Sequence, residues 1–329
     1  MRVVVTASDG SHPDGSGKGV YADGRFFADG RFRVSTPPGT TQLVLRSGPN
    51  FVPLEISLEA KAGHEHRVKA QLKQWISPEE LGWYAGDNHV HVKHDAEHKT
   101  RTSRAYTVLQ GRANGLSYIT EAGSSLLPAE EAEAAPVPAN FLMRHAEEIR
   151  PGPFIGHRNT PGITRRFPES RYRELIKRPL PTLALLEPIH EVGGAVIYTH
   201  PMTPPHLLHW MGSAEVWSHA VLGRSADAFD IDSRATESLW FAMLNLGNRV
   251  AASGSTDAAL ERVQTPSPGD RRVYSKAEQF TYEAIVGGIR AGRTFMTNGS
   301  PVFPFLSAGK SMPGDTLESG SAALGEVLR

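Results

Sequence analysis

The chain of 329 residues contains no cysteine. This absence excludes disulfide bonds, a thiolate nucleophile and thiolate metal ligands. A metal site in this protein must therefore be built mainly from histidine, aspartate and glutamate, and covalent catalysis through sulfur is ruled out.

The sequence also has no excess of charge and no long apolar run. Lysine plus arginine and aspartate plus glutamate number 35 each, so the formal net charge is zero. A balanced chain has no global field that favours nucleic acid or an anionic membrane surface. We therefore expect a small-molecule substrate, with no nucleic-acid partner and no membrane partner. The sequence does not indicate the oligomeric state.

The first residues, Met1 to Thr6, lack the apolar segment and the cleavage site of an export signal. We expect a cytoplasmic protein for the chain as given. A periplasmic or secreted location is expected instead if a signal peptide has been removed.

Short strands with turn residues between them are predicted over residues 1–75. Alternating apolar and polar residues are typical of half-buried strands. This pattern predicts a small all-β sandwich domain. The predicted strands are Val3–Thr6, Phe32–Ser35, Gln42–Arg46, Leu54–Leu58 and His66–Leu72.

From residue 76 the pattern changes to strand-like runs that alternate with helix-like stretches, which predicts an α/β domain over residues 76–315. Ser77 and Pro78 form a typical helix start, and a helix is predicted over Ala235–Leu246. Residues 316–329, around Gly320–Gly325, predict a flexible tail. The predicted strands are Gly115–Thr120, Pro153–His157, Gly194–His200 and Arg249–Ser253.

His89 and His91 are the first candidate metal ligands. They follow an apolar and aromatic segment that predicts a strand, and residues two apart on a strand point to the same face. Neutral imidazoles can converge without charge repulsion and suit several transition metals. The alternative is a chance pair on an exposed strand.

His157 and His200 close apolar runs, and Asp257 follows another after a Gly-Ser-Thr turn. The carboxyl ends of the strands are where sites of β/α barrels are assembled. The alternative for each residue is ordinary polar capping of a strand end. For Glu147 and Glu148 the alternative to a ligand is a solvated helix face.

The order of these motifs resembles the polymerase-and-histidinol-phosphatase (PHP) superfamily, and within it the CehA/McbA-type metallohydrolases. The resemblance covers residues 82–315 and depends on five motifs in order. They are Gly86–His91, Glu147-Glu148 before Gly156–Asn159, Gly193–Pro201, Gly254–Asp257 and Gly292–Gly299.

This resemblance implies a distorted β/α barrel of the PHP type that holds one to three divalent ions. The implied metal ligands are His89, His91, Glu148, His157, His200 and Asp257, with Glu148 as the bridging carboxylate. Ala122 and Ala259 stand where the family has histidines, which weakens the expectation of three ions. His94, His98 and Glu121 are candidate replacements, and each is otherwise a solvated loop or strand-end residue.

These ligands predict a hydrolase of a phosphoester, ester or amide that uses metal-activated water, with zinc, manganese or iron as the ion. Glu148 and Asp257 are the candidate catalytic residues. Arg158, in a basic stretch, is a candidate for binding a substrate anion, and surface solvation is its alternative. The alternative function is a PHP-like binding protein that has lost catalysis, because the two histidines are missing.

Overall fold

The computed structural model describes residues 1–92, 103–123, 137–150, 156–163, 169–201, 216–224, 226–259 and 266–317. Within these ranges, no helix combines the length and the apolar character that crossing a bilayer requires.

The N-terminal part contains one antiparallel sheet of four strands in the order β2-β1-β3-β4. Val3 and Val5 of β1 alternate with half-buried residues and pack with Leu43 and Leu45 of β3 in a small core. The sheet therefore buries one apolar face, as the alternating sequence predicts. The strands are β1 (Arg2–Thr6), β2 (Arg25–Phe27), β3 (Gly39–Arg46) and β4 (Leu54–Ala60).

The prediction of a two-sheet sandwich is not confirmed. Residues 32–35 and 66–72, which were predicted as strands, form no strand, and residues 1–75 contain a single sheet. Phe32, Val34 and Leu72 from these segments still pack against the apolar core, so their hydrophobic side chains are partly buried without strand pairing. The domain boundary near residue 75 stays a prediction.

The remaining elements form one mixed α/β unit. It opens with a 3-10 helix at Pro78–Leu81. Its strands are β5 (Trp83–His91), β6 (Tyr118–Gly123), β7 (Leu142–Ile149), β8 (His157–Asn159), β9 (Ile197–Thr199), β10 (Ala228–Asp230), β11 (Ala251–Ser253), β12 (Ala258–Ala259), β13 (Arg272–Lys276) and β14 (Thr294–Thr297). Its helices are α1 (Arg104–Ala113), α2 (Glu169–Leu175), α3 (Pro181–Glu191), α4 (Val216–Leu222), α5 (Arg234–Asn245) and α6 (Tyr282–Arg290).

These ten strands form a sheet that curls into a nearly closed barrel. Its order is β11-β10-β9-β8-β7-β6-β5-β13-β14, with β12 paired to β5. The two edge strands approach each other, since Thr294 Oγ1 on β14 donates to the Ala252 carbonyl on β11 at 2.7 Å. The strands around β8 and β13 pair antiparallel, so the barrel is mixed. The α/β prediction is confirmed at this level.

Local capping and a shared apolar core explain where the helices form. Ser103, Ser233 and Thr281 stand at the starts of α1, α5 and α6, and each side chain accepts a backbone N–H of the first turn. The helix predicted at Ala235–Leu246 is observed one residue earlier. Leu185 of α3 and Leu239 of α5 pack in the same core as residues of β9 and β10.

Candidate metal centre

His89 and His91 lie on β5 and point to the same side, as strand alternation predicts. Their Nε2 atoms are 2.9 Å apart, and both side chains are buried. A register irregularity between Asp87 and Val90, relative to β6, indicates a β-bulge beside the pair. Bulges bend a strand and re-aim its side chains. β5 therefore delivers two converging imidazoles to the interior of the barrel.

Asp87 holds the histidine-bearing part of β5 in place through hydrogen bonds. Its carboxylate is fully buried and accepts four hydrogen bonds: from the N–H groups of His89, Thr256 and Gly269 at 3.2, 3.1 and 3.0 Å, and from Thr256 Oγ1 at 2.6 Å. Burial raises the pKa of Asp87 to about 6, so the side chain is largely ionised at neutral pH. One carboxylate thereby ties β5 to the turn before Asp257. Asp87 belongs to the motif Gly86–His91, but the sequence pattern predicted no role for Asp87.

Glu148 lies at the centre of the imidazoles. One oxygen, Oε2, is 3.6 Å from His89 Nε2 and 3.4 Å from His91 Nε2. The other, Oε1, is 2.6 Å from His157 Nδ1 and 3.7 Å from His200 Nε2. Glu148 is only 4% exposed and lies on a strand, so the solvated-helix interpretation is wrong for it. The two oxygens of one carboxylate face two separate pairs of histidines.

His200 and Asp257 reach the cluster through unusual backbone conformations. Their φ angles are 32° and 52°, in the left-handed region that side chains other than glycine rarely adopt. Asp257 Oδ1 lies 3.4 Å from His89 Nε2 and 3.1 Å from His91 Nε2. The Asp257 side chain is 46% exposed, which makes it the solvent-facing member of the cluster.

The charged groups of the cluster are compatible with a bound cation. Burial alone would lower the pKa of His89, but the Asp257 and Glu148 carboxylates raise it to about 9. Burial likewise opposes ionisation of Glu148, yet the imidazoles, His89 foremost, hold its pKa well below its ordinary value. The buried Glu148 carboxylate therefore requires positive charge beside it, which a proton on His89, the Arg150 guanidinium or a divalent ion can supply.

Two sets of donors meet the spacing of metal ligands. Within each set, one atom per residue lies within 4.8 Å of the others. Nitrogen and carboxylate oxygen together suit zinc, manganese and iron. The sets are His89, His91 and Glu148, and Glu148, His157 and His200.

Glu121, the candidate replacement ligand among the described residues, belongs to neither set. Glu121 lies on β6, where its Oε2 accepts from Arg104 Nη1 of α1 at 2.5 Å. His94 and His98 lie outside the described residues. Ala122 and Ala259 are the positions of the missing histidines, and Ala259 pairs with His91 in the β12–β5 ladder. The departure from the family pattern is thus adjacent to the first histidine pair.

Arg158 does not reach the cluster. It lies between His157 and Asn159 on β8, so its side chain points to the opposite face of the sheet. There it is fully buried, with its guanidinium 3.9 Å from the centre of the Tyr198 ring. This position packs Arg158 on Tyr198 of the apolar core and gives no support to a role in substrate binding.

Two charged residues near the cluster were missed by the sequence analysis. Arg150 Nη2 lies 2.5 Å from Glu148 Oε2. Asp230, at the end of β10, is buried and accepts from Ser255 Oγ at 2.5 Å. Both had a signal, since Arg150 follows Glu148 by two positions on an extended chain and Asp230 closes an apolar run.

Neither the family models nor the curated proteins contain a match to this chain. Among solved structures, it is similar to a two-domain protein containing a predicted PHP-like metal-dependent phosphoesterase from Bacteroides vulgatus ATCC 8482. The identity is 12% and the TM-score 0.40, over 66% of this chain and 65% of that one.

The chain is also similar to the lesion-specific Endonuclease Q from Pyrococcus furiosus, with 15% identity and a TM-score of 0.42 over 65% of this chain and 57% of that one. A complex of Endonuclease Q with a 27-mer duplex substrate carrying an abasic lesion matches at 16% identity and a TM-score of 0.42, over 63% and 56%. The chain thus spans less than two thirds of each of these proteins. At these values the likeness carries no activity over to this chain. None of the three is named as CehA/McbA-type.

The expectation of no nucleic-acid partner is contradicted by the similarity to Endonuclease Q, which was solved with a duplex substrate. That expectation came from a net charge of zero. Net charge averages over the whole surface, whereas the local field at a cleft governs contact with an anionic polymer. A balanced composition therefore does not exclude nucleic acid.

Proposed function

We propose that this protein is a metal-dependent hydrolase. The observation that carries the proposal is the position of Glu148, whose two oxygens face two histidine pairs. In this proposal His89, His91, Asp257 and Glu148 would hold one divalent ion, and Glu148, His157 and His200 would hold a second. Zinc, manganese and iron all suit these donors.

A bound divalent ion lowers the pKa of coordinated water and polarises the substrate oxygen, so no protein nucleophile is needed. The side chains of the protein supply the remaining roles, which are to hold the ions and to position the attacking water. Glu148, which is shielded from solvent, would bind both ions. Asp257 is ionised at neutral pH, because partial desolvation opposes ionisation but the nearby imidazoles, His89 first, lower its pKa. Its exposed position suits a group that orients the attacking water or accepts its proton.

The substrate classes that fit this chemistry are phosphoesters, carboxylic esters and amides. We propose that the chain belongs to the CehA/McbA branch of the PHP superfamily, on the support of the five ordered motifs, of which Gly292–Gly299 is the last. The substrate screen includes a duplex with an abasic lesion, since that is the substrate in one Endonuclease Q structure.

The second candidate is a binding protein that has lost catalysis. Two observations favour it. Ala122 and Ala259 supply no imidazole, and the Arg150 guanidinium contacts the oxygen of Glu148 that faces His89 and His91. A cation from the chain itself can compete with a metal ion for that oxygen.

Elemental analysis of protein purified without chelator tests the first proposal. We expect about two equivalents of a transition metal in the wild type and a loss of most of it in His89→Ala/His91→Ala. The matched control is His64→Ala/His66→Ala, an exposed His-x-His pair that should leave metal content unchanged. Hydrolysis of a phosphoester, an ester and an amide is measured on the same samples.

Wild-type protein that holds less than about half an equivalent after metal reloading would contradict the metal-dependent proposal. Full metal content with tight substrate-analogue binding and no turnover would favour the binding protein. Activity that survives complete metal removal would exclude metal-activated water.

A further inference from the structure

A cavity of about 840 Å³ lies between the N-terminal sheet and the barrel. It is separate from the candidate metal centre, because none of the cluster residues lines it. Its walls are rich in arginine and contain a single carboxylate. The residues that matter here are Arg2, Arg25, Arg46, Arg272, Asp270 and Trp75.

Strand register places three of these arginines on one face of the sheet. Arg2 of β1 is directly opposite Arg46 of β3, and Val4 of β1 is directly opposite Arg25 of β2. Directly paired residues share a face, and so do residues two apart on a strand. The other face carries the apolar core of Val3 and Val5. The arginine face is therefore the one turned to the barrel.

Positive charge exceeds negative charge in this cavity. Asp270 is shared by Arg2 at 3.7 Å and Arg25 at 3.2 Å. Arg272 is already engaged, because three of its nitrogen atoms donate to the carbonyls of Gly269 and Asn114. Asp23, which does not line the cavity, also pairs with Arg25 at 3.1 Å. Two carboxylates cannot neutralise four guanidinium groups.

Two further features point to a ligand. Arg46 is exposed, and no ion pair within the described ranges engages it. Like charges placed directly opposite on neighbouring strands destabilise a sheet, so the Arg2–Arg46 pair disfavours the empty cavity. An anion between them would remove that repulsion.

One wall of the cavity is aromatic. Trp75 is 49% exposed, and its orientation is fixed by a hydrogen bond of 2.9 Å from Nε1 to the Pro49 carbonyl. Phe51 also lines the cavity. A flat apolar surface beside guanidinium groups suits a molecule that has an anionic group and an apolar or ring-shaped body.

We propose that this cavity binds a small molecule through an oxyanion, a phosphate or a carboxylate, held by Arg2, Arg25 and Arg46. The guanidinium group presents paired donors that match both oxyanions. The site adjoins the metal centre without belonging to it, since Gly269 lines the cavity and its N–H donates to Asp87. The proposal does not depend on hydrolase activity.

Isothermal titration of the full chain with inorganic phosphate and, separately, with benzoate tests this site. We expect saturable binding of at least one, weakened about tenfold by Arg46→Gln, which corresponds to about 1.4 kcal/mol. The two probes distinguish a phosphate site from a carboxylate site. Arg31→Gln, an exposed arginine outside the cavity, is the matched control and should bind as the wild type does.

His89→Ala/His91→Ala separates this site from the metal centre, because it should lose metal and retain anion binding. Arg2→Gln is a second variant of the cavity and should weaken binding as Arg46→Gln does. Three results would overturn the proposal: no saturable heat with either probe, equal affinity in Arg46→Gln and wild type, or loss of binding in the histidine variant alone.

Discussion

Gly86 stands immediately before the segment that carries both histidines, and its lack of a side chain is a steric requirement. A Cβ at this position would lie 1.9 Å from Cζ, 2.1 Å from Cε1 and 2.4 Å from Cε2 of Tyr118. Tyr118 is 1% exposed and is the β6 residue paired with Gly86. Its ring crosses the strand at the point where a side chain would emerge. Gly86→Ala therefore forces either the ring or β5 to move.

The size of the shift sets the expected cost. Cβ atoms essentially never approach another atom more closely than 3.0 Å, so the ring must retreat by at least 3.0 − 1.9 = 1.1 Å. Tyr282 blocks this movement, since its ring is packed edge-on against Tyr118 and its hydroxyl is tied to Thr120 at 2.6 Å. Overpacking of a dense core costs about 1–3 kcal/mol and sometimes more. We expect a loss near the upper end, about 3 kcal/mol.

Urea unfolding of the wild type and of four variants measures this cost. Gly86→Ala should lower the free energy of unfolding by about 3 kcal/mol and reduce metal content. In a Tyr118→Leu background, which removes the clashing ring atoms, the same substitution should cost less than about 0.5 kcal/mol. Gly287→Ala on α6, where a Cβ meets nothing within 4 Å, is the control and should be neutral or stabilising. A Gly86→Ala protein as stable as the wild type, or an equal cost in both backgrounds, would refute the steric argument.

Two further predictions concern charged groups. Arg150 is 39% exposed, and exposed ion pairs contribute about 0.2–1 kcal/mol. Arg150→Gln should therefore raise the metal affinity by no more than about fivefold in a competition titration. A lower metal affinity would show that Arg150 supports the site. Burial lowers the pKa of His219 from 6.5 to about 4, so the folded state resists its protonation and stability falls as pH drops below 6.5. Between pH 7 and pH 5 this group should cost roughly 2 kcal/mol, and His219→Phe should remove that part of the pH dependence of urea unfolding.

Strand alternation explains which site residues were predictable. His89 and His91 are two apart on one strand, and a pattern with period two is enough to place them together. The same rule, applied to His157 and Arg158, places adjacent residues on opposite faces. That signal was present in the sequence, and it would have argued against a substrate-binding role for Arg158.

Other features depend on contacts between distant segments. His200 and Asp257 turn toward the cluster because their backbone is left-handed, a conformation that non-glycine residues adopt only when the surrounding structure imposes it. The arginine cavity likewise depends on the register of Arg2 against Arg46, which lie far apart in the chain. Local sequence patterns predict neither the left-handed backbone nor the strand register. The sandwich prediction was not confirmed for a related reason, since apolar residues such as Phe32 and Leu72 fill a core without pairing as strands.

The resemblance implies histidines at the positions of Ala122 and Ala259. Their absence affects the expected number of metal ions and not the expectation of a metal centre. Ala259 is paired with His91, so its small side chain leaves the first histidine pair without an additional nitrogen from β12. Asp257, two residues earlier, already places an oxygen 3.1 Å from His91 Nε2. The two proposed sets of donors around Glu148 thus contain neither Ala122 nor Ala259. A third ion would need other ligands. Among the described residues, Glu121 is the carboxylate next to Ala122 in the sequence, and it is already paired with Arg104. The described residues therefore favour a centre with two ions over one with three.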